Sequence, residues 1–107
     1  MAFIVQKFGG TSVADTTRLR RAAQLISDCW RQGNDVAVVV SAQGHTTDEL
    51  LQKAAEVSGC PSRREMDMLL ASGEQISISL LTMALHQLGV PAVSLTGWQA
   101  GVRTDNQ

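Results

Sequence analysis

Phe3-Ile4-Val5-Gln6-Lys7-Phe8-Gly9-Gly10-Thr11-Ser12 is the stretch from which the fold is read. Residues 2–8 carry the apolar run of a buried strand. A cation, Lys7, stands near its end, two glycines make the turn, and a helical pattern follows. This arrangement suits a phosphate. Glycines let the backbone approach closely, their N–H groups point at the anion, and a helix N-terminus adds positive partial charge. The spacing matches neither the G-x-x-x-x-G-K-[ST] loop nor the G-x-G-x-x-G fingerprint, so the suggested phosphate site lies outside those two classes. Gly-Gly is also a common breaker. On this segment alone an ordinary strand-to-helix turn stands beside the phosphate reading.

Working outward, Thr16 to about Gln32 is predicted as an amphipathic helix, with Leu19, Ala22, Ala23, Ile26 and Trp30 on one face. Asp15 is its expected N-cap, and Gly33 with Asn34 its stop. Val36-Ala37-Val38-Val39-Val40 is a continuous run of the kind found in strands covered on both faces, as in parallel sheets. Thr46 to about Val57 is a second helix, ended by Ser58-Gly59 and Pro61. A third helical pattern runs from Ser62 to about Leu88, with a stripe of Met66, Leu70, Gly73, Ser77, Leu81, Ala84 and Leu88. It reads as one long helix or two. Ser72-Gly73-Glu74-Gln75 matches a capping box and favours a break there. Gly89 ends the pattern, and a third strand is expected over about 92–96.

Strand, helix, strand, helices, strand is an α/β order. It implies a parallel-type sheet with helices on both faces. Ligands of such sheets bind beyond the carboxyl ends of the strands. That rule gathers Lys7–Ser12, Ser41–Thr47 and Thr96–Gly101 into one place.

The chain has 107 residues, enough for one small domain. Nine basic and ten acidic side chains give a net charge of −1, and there are only two Trp, two Phe and no Tyr. The arginines at 18, 20 and 21, and at 63 and 64, therefore read as solvated helix faces, and nucleic-acid binding is not expected. Cys29 and Cys60 have no metal-ligand spacing and are expected as free thiols in a reducing compartment. The N-terminal apolar run is too short for a signal peptide. No apolar run is expected to reach membrane-spanning length. The chain reads as cytoplasmic, with Met1 as a start and Gln107 as a cut.

Ser41-Ala42-Gln43-Gly44-His45-Thr46-Thr47-Asp48 carries a glycine, three hydroxyls and a helix start. One threonine is expected to cap the helix, and the remaining hydroxyls and N–H groups could hold a small carboxylate. Glu74 is either a first-turn acid that complements a helix dipole or a partly buried acid that needs a cation such as a substrate ammonium. His45 reads as an exposed loop residue and His86 as a structural one near a helix end. Trp98 lines a pocket or plugs its loop.

Lys7-Phe8-Gly9-Gly10-Thr11-Ser12-Val13-Ala14-Asp15 resembles the N-terminal signature of aspartate kinases. Val39-Val40-Ser41-Ala42, Gly44 and Thr46-Thr47-Asp48 resemble the second signature of that family. Arg64-Glu65 with Ser72-Gly73-Glu74, and Leu95-Thr96-Gly97-Trp98-Gln99-Ala100-Gly101, are similar to its third and fourth. The resemblance covers essentially the whole chain. It implies the amino-acid-kinase fold, with residues 1–107 as the N-terminal, substrate-binding part of that domain, truncated at its C-terminus. It also implies transfer of the ATP γ-phosphoryl group to the side-chain carboxylate of L-aspartate, the first step toward lysine, threonine, methionine and diaminopimelate. By that resemblance Lys7 is catalytic, and Lys7, Phe8, Gly9, Gly10 and Ser12 bind phosphate. Ser41, Thr47 and Glu74 bind aspartate. ATP enters as co-substrate with Mg2+, for which the chain supplies no identified ligand, and a homo-oligomer is expected at full length. The isolated piece is expected to be inactive. A non-catalytic module that binds an amino acid or an anion is the alternative. A related kinase acting on glutamate, acetylglutamate or carbamate is disfavoured by the Ser41–Asp48 and Leu95–Gly101 motifs.

Overall fold

The computed structural model describes residues 2–95. Strands β1 (Phe3–Phe8) and β2 (Asp35–Val40) pair in parallel, from Phe3 opposite Asp35 to Phe8 opposite Val40. Between them lie a one-turn 3-10 helix, Gly10–Val13, and helix α1, Thr16–Arg31. Helices α2 (Thr46–Val57) and α3 (Arg63–Gln87) follow β2. The class is α/β with a parallel sheet, as the element order implied. Parallel strands cannot be joined by a tight hairpin, so the long connection through α1 is obligatory.

Helix α1 starts where the sequence placed it: the Asp15 carboxylate accepts the Arg18 N–H at 2.8 Å. Its apolar stripe is buried. Leu19, Ala22, Ala23 and Ile26 meet Leu81 and Leu85 of α3, Val40 of β2 and Val13 of the 3-10 turn in one core. Phe8, Val36 and Val38 pack against that core from the even-numbered side of the sheet. Among the described residues the odd-numbered side stays open, with Phe3 at 69% exposure and Val5 at 60%. At the far end Arg31 ties α1 to α3 by donating to the buried Ser27 hydroxyl at 3.0 Å and to the Leu88 carbonyl at 2.6 Å.

Three local expectations are corrected. First, α3 runs unbroken for 25 residues through Ser72–Gln75. The N-cap is Ser62, whose hydroxyl accepts the Glu65 N–H at 3.2 Å, while the Ser72 hydroxyl back-bonds to the Leu69 carbonyl at 2.6 Å. Ser62-Arg63-Arg64-Glu65 is itself a capping-box pattern, ten residues earlier than the one chosen. A glycine inside a helix costs roughly 0.5–1 kcal/mol relative to alanine. The helix continues because Gly73, Ser77, Leu81 and Leu85 form one buried stripe that bridges the weak point.

Second, α2 begins at Thr46 with His45 in the cap position and no side-chain cap, so neither Thr46 nor Thr47 serves as one. Third, residues 92–95 form no strand, because their backbone finds no ladder partner among the described residues. Ala92 instead offers its carbonyl to His86 Nε2 at 2.7 Å, and residue 96 lies outside the described residues.

The length of α3 also departs from expectation. By length and composition it could cross a membrane, with an 18-residue window of mean hydropathy 1.4. Its buried stripe packs instead against α1, and Gly73 sits against the start of α2.

Ile26 is at 2% exposure in the centre of this core. Ile26→Ala should cost about 2–5 kcal/mol. Urea unfolding of the protein checks this, and a change under about 0.5 kcal/mol would contradict the packing described.

Candidate functional site

The site is built where β1 and β2 end side by side, at Phe8 and Val40. The Ser41 N–H continues the ladder by donating to the Phe8 carbonyl at 3.1 Å. Beyond that point two loops diverge from adjacent strands and are tied back together. The Gly44 N–H donates to the Gly10 carbonyl at 3.0 Å, and Gln43 Nε2 donates to the Val13 carbonyl at 2.8 Å. Loop 41–45 and the 3-10 turn therefore form one layer over the strand ends.

The two glycines of the first loop have different reasons to be glycine. A Cβ on Gly10 would stand 2.8 Å from the Ala42 carbonyl oxygen and 3.3 Å from the Gly44 nitrogen. Both are backbone atoms that cannot swing aside. Gly10 is thus required by the contact between the loops. A Cβ on Gly9 would meet nothing within 4 Å among the described residues, and the Gly9 backbone is extended. Its missing side chain leaves the backbone bare. The N–H groups of Gly9, Gly10 and Thr11 have no backbone acceptor among the described residues. Lys7, exposed on β1, stands immediately before them. A cation followed by free N–H groups is what an anion needs. Ser12, exposed in the 3-10 turn, uses its N–H on the Gly9 carbonyl, and its hydroxyl has no hydrogen-bond partner among the described residues.

The start of α2 supplies a second group of donors. Because no side chain caps it, the N–H groups of Thr47 and Asp48 have no acceptor among the described residues. Ser41 is half-buried at the strand end, and Thr47 is exposed on the first helical turn. Helix α3 passes this turn at Gly73, where a Cβ would meet Ala42 Cβ at 3.0 Å and Thr46 Cγ2 at 3.2 Å. Glu74 is the next residue. It is exposed rather than partly buried, because one step along a helix turns the side chain about 100° away from the buried stripe. Among the described residues the one ion pair is Asp15 with Arg18 at 3.8 Å, so Glu74 and Lys7 both stand without a partner of opposite charge.

Lys7 and Phe8 thus end β1 and Gly9, Gly10 and Ser12 follow them in the turn, while Ser41 lies just past β2 and Thr47 on the first turn of α2. Gly73 brings the Glu74 helix against Ala42 and Thr46. Leu95–Gly101, Trp98 included, lies outside the described residues apart from the exposed Leu95. The sequence reading took Arg18 and Arg21 for a solvated helix face, and both are exposed. They line a cavity of about 240 Å³ with Phe8, Thr11 and Ser12, and Arg18 Nη1 donates to the Thr11 carbonyl at 3.4 Å. Their i, i+3 spacing on α1 was the available signal. His45 is exposed in its loop as expected, and Cys29 and Cys60 are free thiols. Among the described residues no three His, Cys, Asp or Glu side chains cluster as a metal site would require.

The model of the amino acid kinase family matches residues 2–107. The chain belongs to the amino acid kinase family. Aspartokinase of Geobacillus stearothermophilus is 58% identical over 105 residues, which are 98% of this chain and 26% of that protein. Aspartokinase 2 of Bacillus subtilis is 56% identical with the same coverage, and an aspartokinase of Mycobacterium tuberculosis is 57% identical over 97% of this chain and 25% of its own length. This amino acid kinase chain therefore spans about a quarter of the length of those relatives. The crystal structure of an aspartate kinase from Synechocystis superposes with a TM-score of 0.83 at 53% identity, covering 85% of this chain and 16% of that one.

The two glycines separate experimentally. Gly10→Ala should cost about 1–3 kcal/mol through overpacking against Ala42. Gly9→Ala should stay within about 0.5 kcal/mol, as a surface change does. Equal unfolding midpoints for the two variants would contradict the close approach at Gly10.

Proposed function

We propose that the protein containing this chain is an aspartate kinase and that residues 1–107 are the N-terminal, substrate-binding part of its amino-acid-kinase domain. The observation that carries the reading is that nearly the whole chain aligns with proteins named aspartokinase. The geometry supports it by bringing a cation with free N–H groups beside a loop of hydroxyls and an acid-bearing helix.

In this reading an oxygen of the aspartate side-chain carboxylate attacks the γ-phosphorus of ATP. The bond from that phosphorus to the β–γ bridging oxygen breaks. ADP leaves with the oxygen and its electron pair, and 4-phospho-L-aspartate forms. Both reactants are anions, so neutralising charge where it develops is the main task. Lys7 supplies positive charge at the phosphates. The backbone of Phe8, Gly9 and Gly10 and the hydroxyl of Ser12 complete that side. Thr47 and Ser41 hold aspartate from the start of α2 and the end of β2, and Glu74 meets its ammonium group. Mg2+ accompanies ATP, and no described cluster of this chain is assigned to it. The proposal extends to a cytoplasmic homo-oligomer that opens biosynthesis of lysine, threonine, methionine and diaminopimelate.

Two variants of the full-length protein test the roles. Lys7→Ala should lower kcat about 10²–10³-fold while aspartate affinity changes little. Turnover within about tenfold of wild type would remove Lys7 from the phosphoryl site. Glu74→Ala should act chiefly by raising KM for aspartate, and an unchanged KM would take Glu74 out of the pocket.

A further inference from the structure

Gly73 lies in the middle of α3 with ordinary right-handed backbone, so nothing in its φ requires glycine. What requires it is space. Gly73 is buried, and a Cβ there would be 3.0 Å from Ala42 Cβ, 3.2 Å from Thr46 Cγ2 and 3.5 Å from Leu50 Cδ1. The first two distances are tighter than ordinary carbon contact. Ala42 is the same residue whose carbonyl oxygen forces glycine at position 10. It is buried at 6% exposure and so is held from both sides, its carbonyl against the phosphate loop and its methyl against α3. The two close approaches leave no slack between Lys7-Phe8-Gly9-Gly10, the start of α2 and the helix carrying Glu74.

We propose that Gly73 is a positioning residue: by seating α3 on Ala42 and Thr46 it sets the distance between Glu74 and Thr47, and so the size of the amino-acid pocket between them. The inference rests on the aspartate reading of Glu74 and Thr47 and deepens it. A methyl at position 73 moves α3 outward and separates the two groups that grip the amino acid, while the phosphate loop, on the other side of Ala42, stays in place.

The test uses the full-length protein with calorimetric binding of aspartate and steady-state kinetics. Gly73→Ala should weaken aspartate binding and raise its KM by roughly tenfold, with KM for ATP and kcat within about threefold of wild type. Gly73→Ala with Ala42→Gly removes the methyl at 3.0 Å, and Gly73→Ala with Thr46→Ser removes the one at 3.2 Å. Each double variant should recover most of the lost affinity. Helix propensity alone predicts the opposite pattern, in which Gly73→Ala raises the melting temperature and leaves aspartate binding untouched. Aspartate binding equal to wild type in Gly73→Ala, or a loss that neither second substitution relieves, overturns the proposal and leaves the aspartate reading intact. A wild-type protein that binds no aspartate overturns the aspartate reading and this proposal with it.

Discussion

The parallel pairing of β1 with β2 is the constraint on which the rest depends. Parallel strands end at the same edge, so Phe8 and Val40 deliver their following loops to one place. An antiparallel pair would have sent one loop to each end and left Lys7 and Ser41 at opposite edges. The pairing also requires a long return connection. That connection is α1, whose buried face becomes the surface on which α3 packs. Core and site thus follow from one strand arrangement.

At the strand ends the chain solves a crowding problem with glycine. Two loops and a helix converge on Ala42, which packs its carbonyl toward Gly10 and its methyl toward Gly73. Neither glycine is needed for an unusual backbone angle. Each is needed because a neighbouring backbone or methyl group already occupies the space a side chain would take. The outcome is a set of polar groups held at fixed separations by apolar and backbone contacts beneath them. Lys7 and Glu74, of opposite charge, lie on separate elements without charged partners of their own among the described residues. Those two unpaired charges are what the proposed aspartate kinase reading uses, Lys7 toward a phosphate and Glu74 toward an ammonium group.

Much of this was legible in the residues. The apolar stripe of Leu19, Ala22, Ala23 and Ile26 marked α1 because a 3.6-residue period admits one buried face. Asp15 marked its start, and the valine run marked β2. The misreadings share a cause. Ser72-Gly73-Glu74-Gln75 has the local chemistry of a helix start, yet α3 runs through it because the burial of Ser77, Leu81 and Leu85 outweighs a local preference worth about 1 kcal/mol. Thr46 and Thr47 are good capping residues, but the chain reaches α2 from a loop anchored by Gln43 and Gly44, which puts His45 in the cap position. Residues 92–95 have strand composition, but a strand exists only where a partner ladder does.

The sequence alone determined the order of β1, α1, β2 and the helices after them, the face that α1 buries, the stretch that joins a cation to two glycines, and a resemblance specific enough to name a family. Those features are local, set by periodicity, capping chemistry and motif. Tertiary structure decided which glycine is spatial and which is open, that Gln43 ties the two loops together, that Arg18 and Arg21 lie beside Phe8, Thr11 and Ser12, and that Glu74 is exposed. Most of these depend on contacts between residues far apart in the sequence, such as Gly10 with Ala42 and Val13 with Gln43, or on how a helix is rotated against its neighbour. Such distances arise only when strands and helices pack together, which sets Ala42 between Gly10 and Gly73.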